Sequence, residues 1–309
     1  MPERTTCVLG IDGGGTKTVC LLADDRGTIL GRGEAGPSNY HAVGLEAASE
    51  AIDWAIERAF QAAGRPRQRV AAICLGLAGV DRPEDEAAIR GVVTQLGVAE
   101  QATIVNDAVI ALWSGTTAGR GVVVIAGTGA IAFGVNACGE QCRAGGWGHL
   151  LGDEGSAYDI GRLAMIAALR AYDGRDAPTT LGALIQQAWG LARLEGLIGR
   201  VYGPTLPRPQ IAALAPLVVQ AAQQGDAVAR RILTYAGEEL GAVAAAVIRR
   251  LGMSGEAFDV VTVGGVFQAG DLIVQPFWRV VTGVAPRARR IVPDAEPAVG
   301  AVRLAQKLI

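Results

Sequence analysis

Apolar positions first arrive in short runs broken by glycine: VLGID, TVCLLAD and TILGRGE follow one another in the opening stretch. Runs of this kind, bounded by turn residues, predict strands, and Asp25-Arg26-Gly27 between the second and third is a hairpin signal. The chain is therefore expected to begin as a β-meander. At residues 45–63 the period changes. In LEAASEAIDWAIERAFQAA the residues Ala48, Ile52, Ile56 and Phe60 recur at helical spacing with Glu and Arg between them, and Gly64 with Pro66 stops the helix. Strand VAAICLGLAG, helix PEDEAAIRGVVTQLG, strand ATIVN and helix DAVIALWSG come next. Alternation after a meander predicts an α/β fold, a mixed sheet flanked by helices.

Near Gly119 the pattern restarts. GVVVIAGTGAIAFGVNACGEQCRAGGWG reads again as strand, glycine turn, strand, turn and short third strand. Gly14 to Gly27 spans 13 positions and Gly127 to Gly139 spans 12, so two copies of one topology are expected. Ala-rich helical periodicity then fills residues 156–252, apart from a loop carrying Pro204, Pro207 and Pro209, and FDVVTV forms one more strand ending on Gly264-Gly265. The expected domains are 1–118 and 119–295, the latter holding the helical insertion, with a last helix at about 296–309 returning to the first domain.

Composition narrows the classes. At 309 residues and 31.8 kDa about two domains are expected, and 50% hydrophobic with 19% charged residues describes a globular chain. Lys plus Arg number 28 against 30 Asp plus Glu, so no basic field exists to grip nucleic acid or an anionic membrane. Local anion sites must come from backbone N–H groups, and 43 glycines supply bare backbone. Cys7, Cys20 and Cys74 sit in apolar runs like core thiols, and Cys138 and Cys142 lack partners at zinc spacing. With no apolar leader in MPERTTCVLG and no apolar run near 18 residues, a cytoplasmic, soluble protein is expected.

Four places carry candidate chemistry. Asp12, Gly13, Gly14, Gly15, Thr16 and Lys17 follow a strand directly; residues without Cβ let N–H groups converge on an anion, and Thr16 and Lys17 add a hydroxyl and a cation. A phosphate is the expected guest. The Walker A spacing of Gly10 and Gly15 is present, but Thr16 stands where that loop needs Lys. The second place is Gly127-Thr128-Gly129. With Ala132 it satisfies a dinucleotide pattern, yet AIAFGVNACGE reads as a strand where that motif needs a helix. Third is Asp107, between strand ATIVN and the following helix, where a carboxylate can take a proton from an attacking hydroxyl or can cap the helix; spacing leaves both readings open. Last is the glycine-rich GGWGHLLGDEGSAY at residues 145–158, costly to order and so expected to bind something, with His149 read as a hydrogen-bonded structural residue.

These motifs resemble the N-acetylglucosamine kinase branch of the sugar kinase and actin superfamily, within the wider BadF/BadG/BcrA/BcrD-type ATPases. IDGGGTKT is similar to the family's first phosphate motif, IAGTGA to its second and VTVGGVFQAGD to its adenosine motif, and GGWGHLLGDEGSAY is characteristic of this branch. The resemblance implies two ribonuclease H-like (actin-like ATPase) domains with ATP in the interdomain cleft, Mg²⁺ as cofactor and a homodimer. It implies Asp107 as the base for a sugar 6-hydroxyl and Asp12 orienting Mg²⁺ through water. Gly13, Gly14, Gly15, Thr16 and Lys17 with Gly127, Thr128 and Gly129 would hold phosphates, Gly264 and Gly265 the adenosine, and Asn39, Gly146 and Asp153 the sugar hydroxyls. Ala78 stands where mammalian-type enzymes carry a sugar-contacting serine. The expected acceptor is N-acetylglucosamine, with glucosamine, N-acetylmuramic acid or glucose as alternatives. An ATPase activator of an acyl-CoA dehydratase is a further alternative, but the Cys-Ala-Ala-Gly-Thr-Gly context of those proteins is absent.

Overall fold

The computed structural model describes residues 6–203 and 206–309; Pro204, in the proline-bearing loop, lies outside the described residues, as does the charged lead 1–5. The chain divides into two units, Met1–Gly119 with Val292–Ile309, and Arg120–Ile291.

In the first unit, strands β1 (Cys7–Gly13), β2 (Thr18–Asp24), β3 (Ile29–Ala35), β4 (Val70–Leu77) and β5 (Ala99–Asn106) form one sheet in the order β3-β2-β1-β4-β5. The meander pairs antiparallel, and β4 and β5 continue parallel to β1. Helices α1 (Tyr40–Val43), α2 (Leu45–Ala62), α3 (Pro83–Leu96) and α4 (Asp107–Gly115) lie along it, joined by the chain's last helix, α12 (Pro297–Gln306). One face of the sheet buries Leu9, Ile11 and Leu75 against Ile52, Ile56 and Phe60 of α2 and Ile89 of α3. The other buries Val8, Leu21 and Cys74 against Ile110 of α4 and Ala298, Ala301, Val302 and Ala305 of α12. The α2 residues read from periodicity are all fully buried, each large one contributing about 1.5–3 kcal/mol. Arg303 anchors α12, its Nη1 donating to Trp113 O at 2.6 Å and Ser114 O at 3.0 Å.

The second unit repeats the plan. Strands β6 (Gly121–Ala126), β7 (Ala130–Val135), β8 (Gln141–Gly145), β9 (Asp259–Val263) and β10 (Arg289–Ile291) are ordered β10-β9-β6-β7-β8, with β6-β7-β8 antiparallel and β9 and β10 parallel to β6. Strand for strand this is the topology of the first unit, as the spacing of the glycine turns predicts. Its helices are α5 (Ala157–Tyr172), α6 (Leu181–Trp189), α7 (Gly196–Val201), α8 (Arg208–Ala212), α9 (Ala215–Gln223), α10 (Ala227–Arg250) and α11 (Asp271–Val284). The α/β class and the paired mixed sheets agree with the sequence reading, which did not include α11 or the short edge strand β10.

Candidate active site

In the first unit the site starts at the end of β1. Gly14 N donates to Lys17 O at 3.0 Å, closing the turn, and its carbonyl accepts from Ser38 N at 3.0 Å and Asn39 N at 3.2 Å. Gly13 O accepts from Ala78 N at 2.8 Å. A Cβ at Gly13 would lie 2.2 Å from Ser38 Oγ and 2.4 Å from Leu77 Cδ2, so only glycine lets both neighbouring segments close on the turn. Gly15, Thr16 and Lys17 face solvent. The turn, Asn39 and Ala78, distant in sequence, are thus clasped together by backbone.

Asp107 resolves one of the open readings. The cap of α4 is Asn106, whose Oδ1 accepts from Ala108 N at 2.9 Å, while Asp107 is the first helical residue. The capping role is taken by the neighbour, although the Asp107 carboxyl also feels the N–H groups at the start of α4. Burial pushes it up to about 6, the negative charge of Asp81 adding to the effect and the Ala108 N–H opposing it. Asp12 is also pushed up to about 6, by burial and then by the charges of Asp107 and Glu296, against the attraction of Lys17. Two half-buried carboxyls, one of them raised in part by the other's charge, are suited to holding a proton or a cation near neutral pH. Asn106 Nδ2 donates to Asp81 Oδ1 at 3.0 Å, tying the β4–α3 loop to the start of α4.

In the second unit the β6–β7 turn is closed by Gly127 N donating to Gly129 O at 2.9 Å, and Gly127 O accepts from Ala157 N at the start of α5, also at 2.9 Å. Around Ala130 three predicted residues meet. Ala130 O accepts from Gly146 N at 2.9 Å, and Ala130 N donates to Asp153 Oδ1 at 3.2 Å, beside Gly129. Asp153 is buried, is the one described non-glycine residue with positive φ (62°), and its Oδ2 accepts from Arg208 Nη2 at 2.9 Å. Both of its oxygens are engaged, Oδ1 beside the glycine turn and Oδ2 by Arg208 of α8. The Arg208 guanidinium lies over the Tyr158 ring, 5.9 Å from its centroid, and His149 meets the same ring edge-on at 5.0 Å. Gly264 has φ 111°, and a Cβ there would be 2.2 Å from Ala126 O.

Next to this turn lies a cavity of about 450 Å³, lined by Gly127, Thr128, Gly265 and mainly apolar groups including Ile160, Pro216, Val219 and Val266. Its size and apolar walls suit a small aromatic ligand, and Gly127 and Thr128 of the glycine turn form part of its lining. Gly127 and Thr128, expected from the sequence to hold phosphates, and Gly265, expected to border adenosine, line this cavity, while the walls from α8 and α9 were not among the expected site residues. Their only signal was small residues and proline in periodic runs, which elsewhere in this chain mark ordinary helix packing. Arg208, Asp81 and Asp85 were also missed.

Among the described residues, no cluster of three or more His, Cys, Asp and Glu could hold a metal alone, and no helix is long and apolar enough to cross a membrane. The fold defines an α/β protein of two mixed five-stranded sheets, each with a glycine turn after its first strand. The model of the BadF/BadG/BcrA/BcrD ATPase family matches residues 9–305, and the chain belongs to that family. It is 36% identical over 299 residues to an N-acetylmuramic acid/N-acetylglucosamine kinase of Clostridium acetobutylicum, covering 97% of this chain and 98% of that protein. It is also 36% identical over 308 residues to an N-acetyl-D-glucosamine kinase of Dictyostelium discoideum, covering 96% and 97%. Among solved structures it is similar to a Chromobacterium violaceum protein described as a candidate N-acetylglucosamine kinase, at 30% identity and TM-score 0.80 over 97% of this chain and 99% of that one. It shares its fold with a ROK family glucokinase of Streptomyces griseus, at 20% identity and TM-score 0.60 over 97% and 98%.

Proposed function

We propose that this protein is an ATP-dependent kinase that transfers the γ-phosphoryl group to the 6-hydroxyl of N-acetylglucosamine. The observation that carries the reading is the apolar cavity opening beside the Gly127-Thr128 turn, a place for adenine next to the turn that would take its phosphates. The two relatives at 36% identity, both named as N-acetylglucosamine kinases, support the acceptor. Gly127, Thr128 and Gly129 with Gly13, Gly14, Gly15, Thr16 and Lys17 receive the phosphates, and Gly264 and Gly265 border the adenosine. Asn39, Gly146 and Asp153 remain the candidates for the sugar hydroxyls, Asp153 acting from its place against Gly129.

In the reaction O6 of the sugar forms a bond to the γ-phosphorus as the bond to the β,γ-bridging oxygen breaks. ADP leaves, and the hydroxyl proton passes to Asp107. A carboxyl held at about 6 is ionised near neutral pH yet basic enough to take that proton, a role worth about 10²- to 10⁴-fold in rate. Most of the remaining acceleration comes from alignment and backbone electrostatics. Mg²⁺ fits the residues present: Asp12, raised by burial and then by neighbouring negative charge, would hold it through water, and the ion would supply charge neutralisation on the phosphates.

A coupled assay of ADP release against N-acetylglucosamine, N-acetylmuramic acid, glucosamine, glucose and mannose tests the reading. N-acetylglucosamine is expected to give the highest kcat/KM; no turnover with any hexosamine overturns it. N-acetylmuramic acid is the second acceptor to weigh, because the Clostridium relative is named for both sugars and Ala78 removes a side-chain hydroxyl.

A further inference from the structure

We propose that Asp85 is a positioning residue for the acceptor sugar, joining the turn that presents Asn39 to the loop that leads to Asp107. This rests on the kinase reading above. Asp85 lies on the first turn of α3 and is 4% exposed. Its Oδ2 accepts from Asp81 N at 3.1 Å and Arg82 N at 2.9 Å. That much is ordinary capping, and an acid three residues into a helix needs no other explanation.

The second oxygen is what capping leaves unexplained. Asp85 Oδ1 accepts from the Tyr40 hydroxyl and lies 3.0 Å from His41 Nε2, two consecutive side chains of α1 from a distant part of the sequence. The hydroxyl, the His41 ring and the two N–H groups together hold the carboxyl down at about 2 against its burial, with the Tyr40 hydroxyl the largest influence. It is therefore an anion throughout the working range and can only accept, so Tyr40 must donate. The α1 turn is too short to hold itself. Its cap is Asn39, whose Oδ1 accepts from His41 N at 3.2 Å and packs against Gly79, 3.0 Å from where a Cβ there would lie.

From Asp85 the connection runs on. The Asp81 whose N–H it holds accepts at Oδ1 from Asn106, the cap of α4 and the neighbour of Asp107. One buried carboxylate thus fixes the spacing of the acceptor-side Asn39 turn and the segment preceding the base. Loosening it misplaces the hydroxyl relative to the base while leaving the nucleotide residues of the second unit untouched. A displacement of this sort acts on acceptor KM and on turnover.

The decisive variant is Tyr40→Phe, which keeps the ring packing and leaves Asp85 Oδ2 on its two N–H groups. Steady-state kinetics with N-acetylglucosamine and ATP should show acceptor KM at least fivefold higher with ATP KM within twofold of wild type. The melting temperature should move by less than about 3 °C. Asp85→Ala should reproduce the acceptor defect more strongly and also lower kcat, and Asp85→Glu should recover part of it. Unchanged acceptor KM in Tyr40→Phe, or equal rises in both KM values, overturns the proposal and returns Asp85 to capping alone. Should Asp85→Ala fail to fold, Tyr40→Phe still decides. If wild type phosphorylates no hexosamine, the kinase reading fails instead. Hydrogen exchange then tests the link separately: amides of residues 39–43 should exchange at least tenfold faster in Tyr40→Phe, and equal protection refutes it.

Discussion

Replacing Asp107 with Asn should make the protein slower and more stable at once. The carboxyl rises from an ordinary 3.8 to about 6 because burial disfavours its charged form. At about 1.36 kcal/mol per unit, two units correspond to ~3 kcal/mol against the folded, ionised state. The group is only half-buried, so solvent screening reduces this to about 1 kcal/mol. The sign follows from proton linkage: the folded form binds this proton more tightly than the unfolded chain, so wild type loses stability as pH rises from 3.8 towards about 6 and stays lower above that. The amide carries no such penalty. Near neutral pH Asp107→Asn is therefore expected to melt roughly 2–4 °C higher than wild type, with the difference vanishing near pH 4. In the same preparation kcat should fall by about 10²- to 10⁴-fold with nucleotide affinity kept. Calorimetry at the two pH values and ADP-release kinetics measure both effects. Turnover within tenfold of wild type refutes the base, and a lower melting temperature near neutral pH refutes the argument from burial.

Other outcomes follow from the same geometry. The kcat/KM for the sugar should climb as pH rises through about 6, where Asp107 and Asp12 lose their protons, and a flat profile between pH 5 and 7 would count against carboxylate chemistry. Val219→Trp should fill much of the cavity and raise ATP KM at least about tenfold while leaving the urea midpoint near wild type; equal ATP affinity would remove the cavity from the nucleotide site. Gly264→Ala should cost about 2–3 kcal/mol, given φ 111° and a Cβ 2.2 Å from Ala126 O. Gly265→Ala, where a Cβ meets nothing within 4 Å, should be near neutral in stability, and equal urea midpoints for the two variants would contradict the backbone assignment.

Much of the architecture was legible because two periods alternate cleanly. The helical stripe of α2 and the apolar runs of β1, β2 and β4 admit one reading each, and the restart near Gly119 exposed the repeat. Strand β10 was not legible: its three residues, Arg289–Ile291, carry two arginines, and it belongs to the sheet only because β9 offers an edge. Glycine misleads in the opposite direction. Gly33 and Gly300 would meet backbone oxygens of Ala55 and Ile110 at 2.0 Å if they had a Cβ, so part of the glycine excess serves close helix packing and not anion binding. At the site, Asp107 and the two turns stand out because strand ends concentrate chemistry. The helix cap could not be assigned to Asn106 or Asp107 from residue type, since both cap well. Asp85 was hidden for a related reason: an acid near a helix start looks the same whether one or both of its oxygens are used.

The return of α12 to the first unit sets an order of events during synthesis. Residues 120–291 leave the ribosome as a complete sheet with all its helices, whereas Val8, Leu21 and Cys74 wait for Ala298, Ala301 and Val302. This face of the first sheet, backed by Ile110 of α4, thus stays without its α12 cover until residues 298–302 have been made, and that interval is when a chaperone has most to offer.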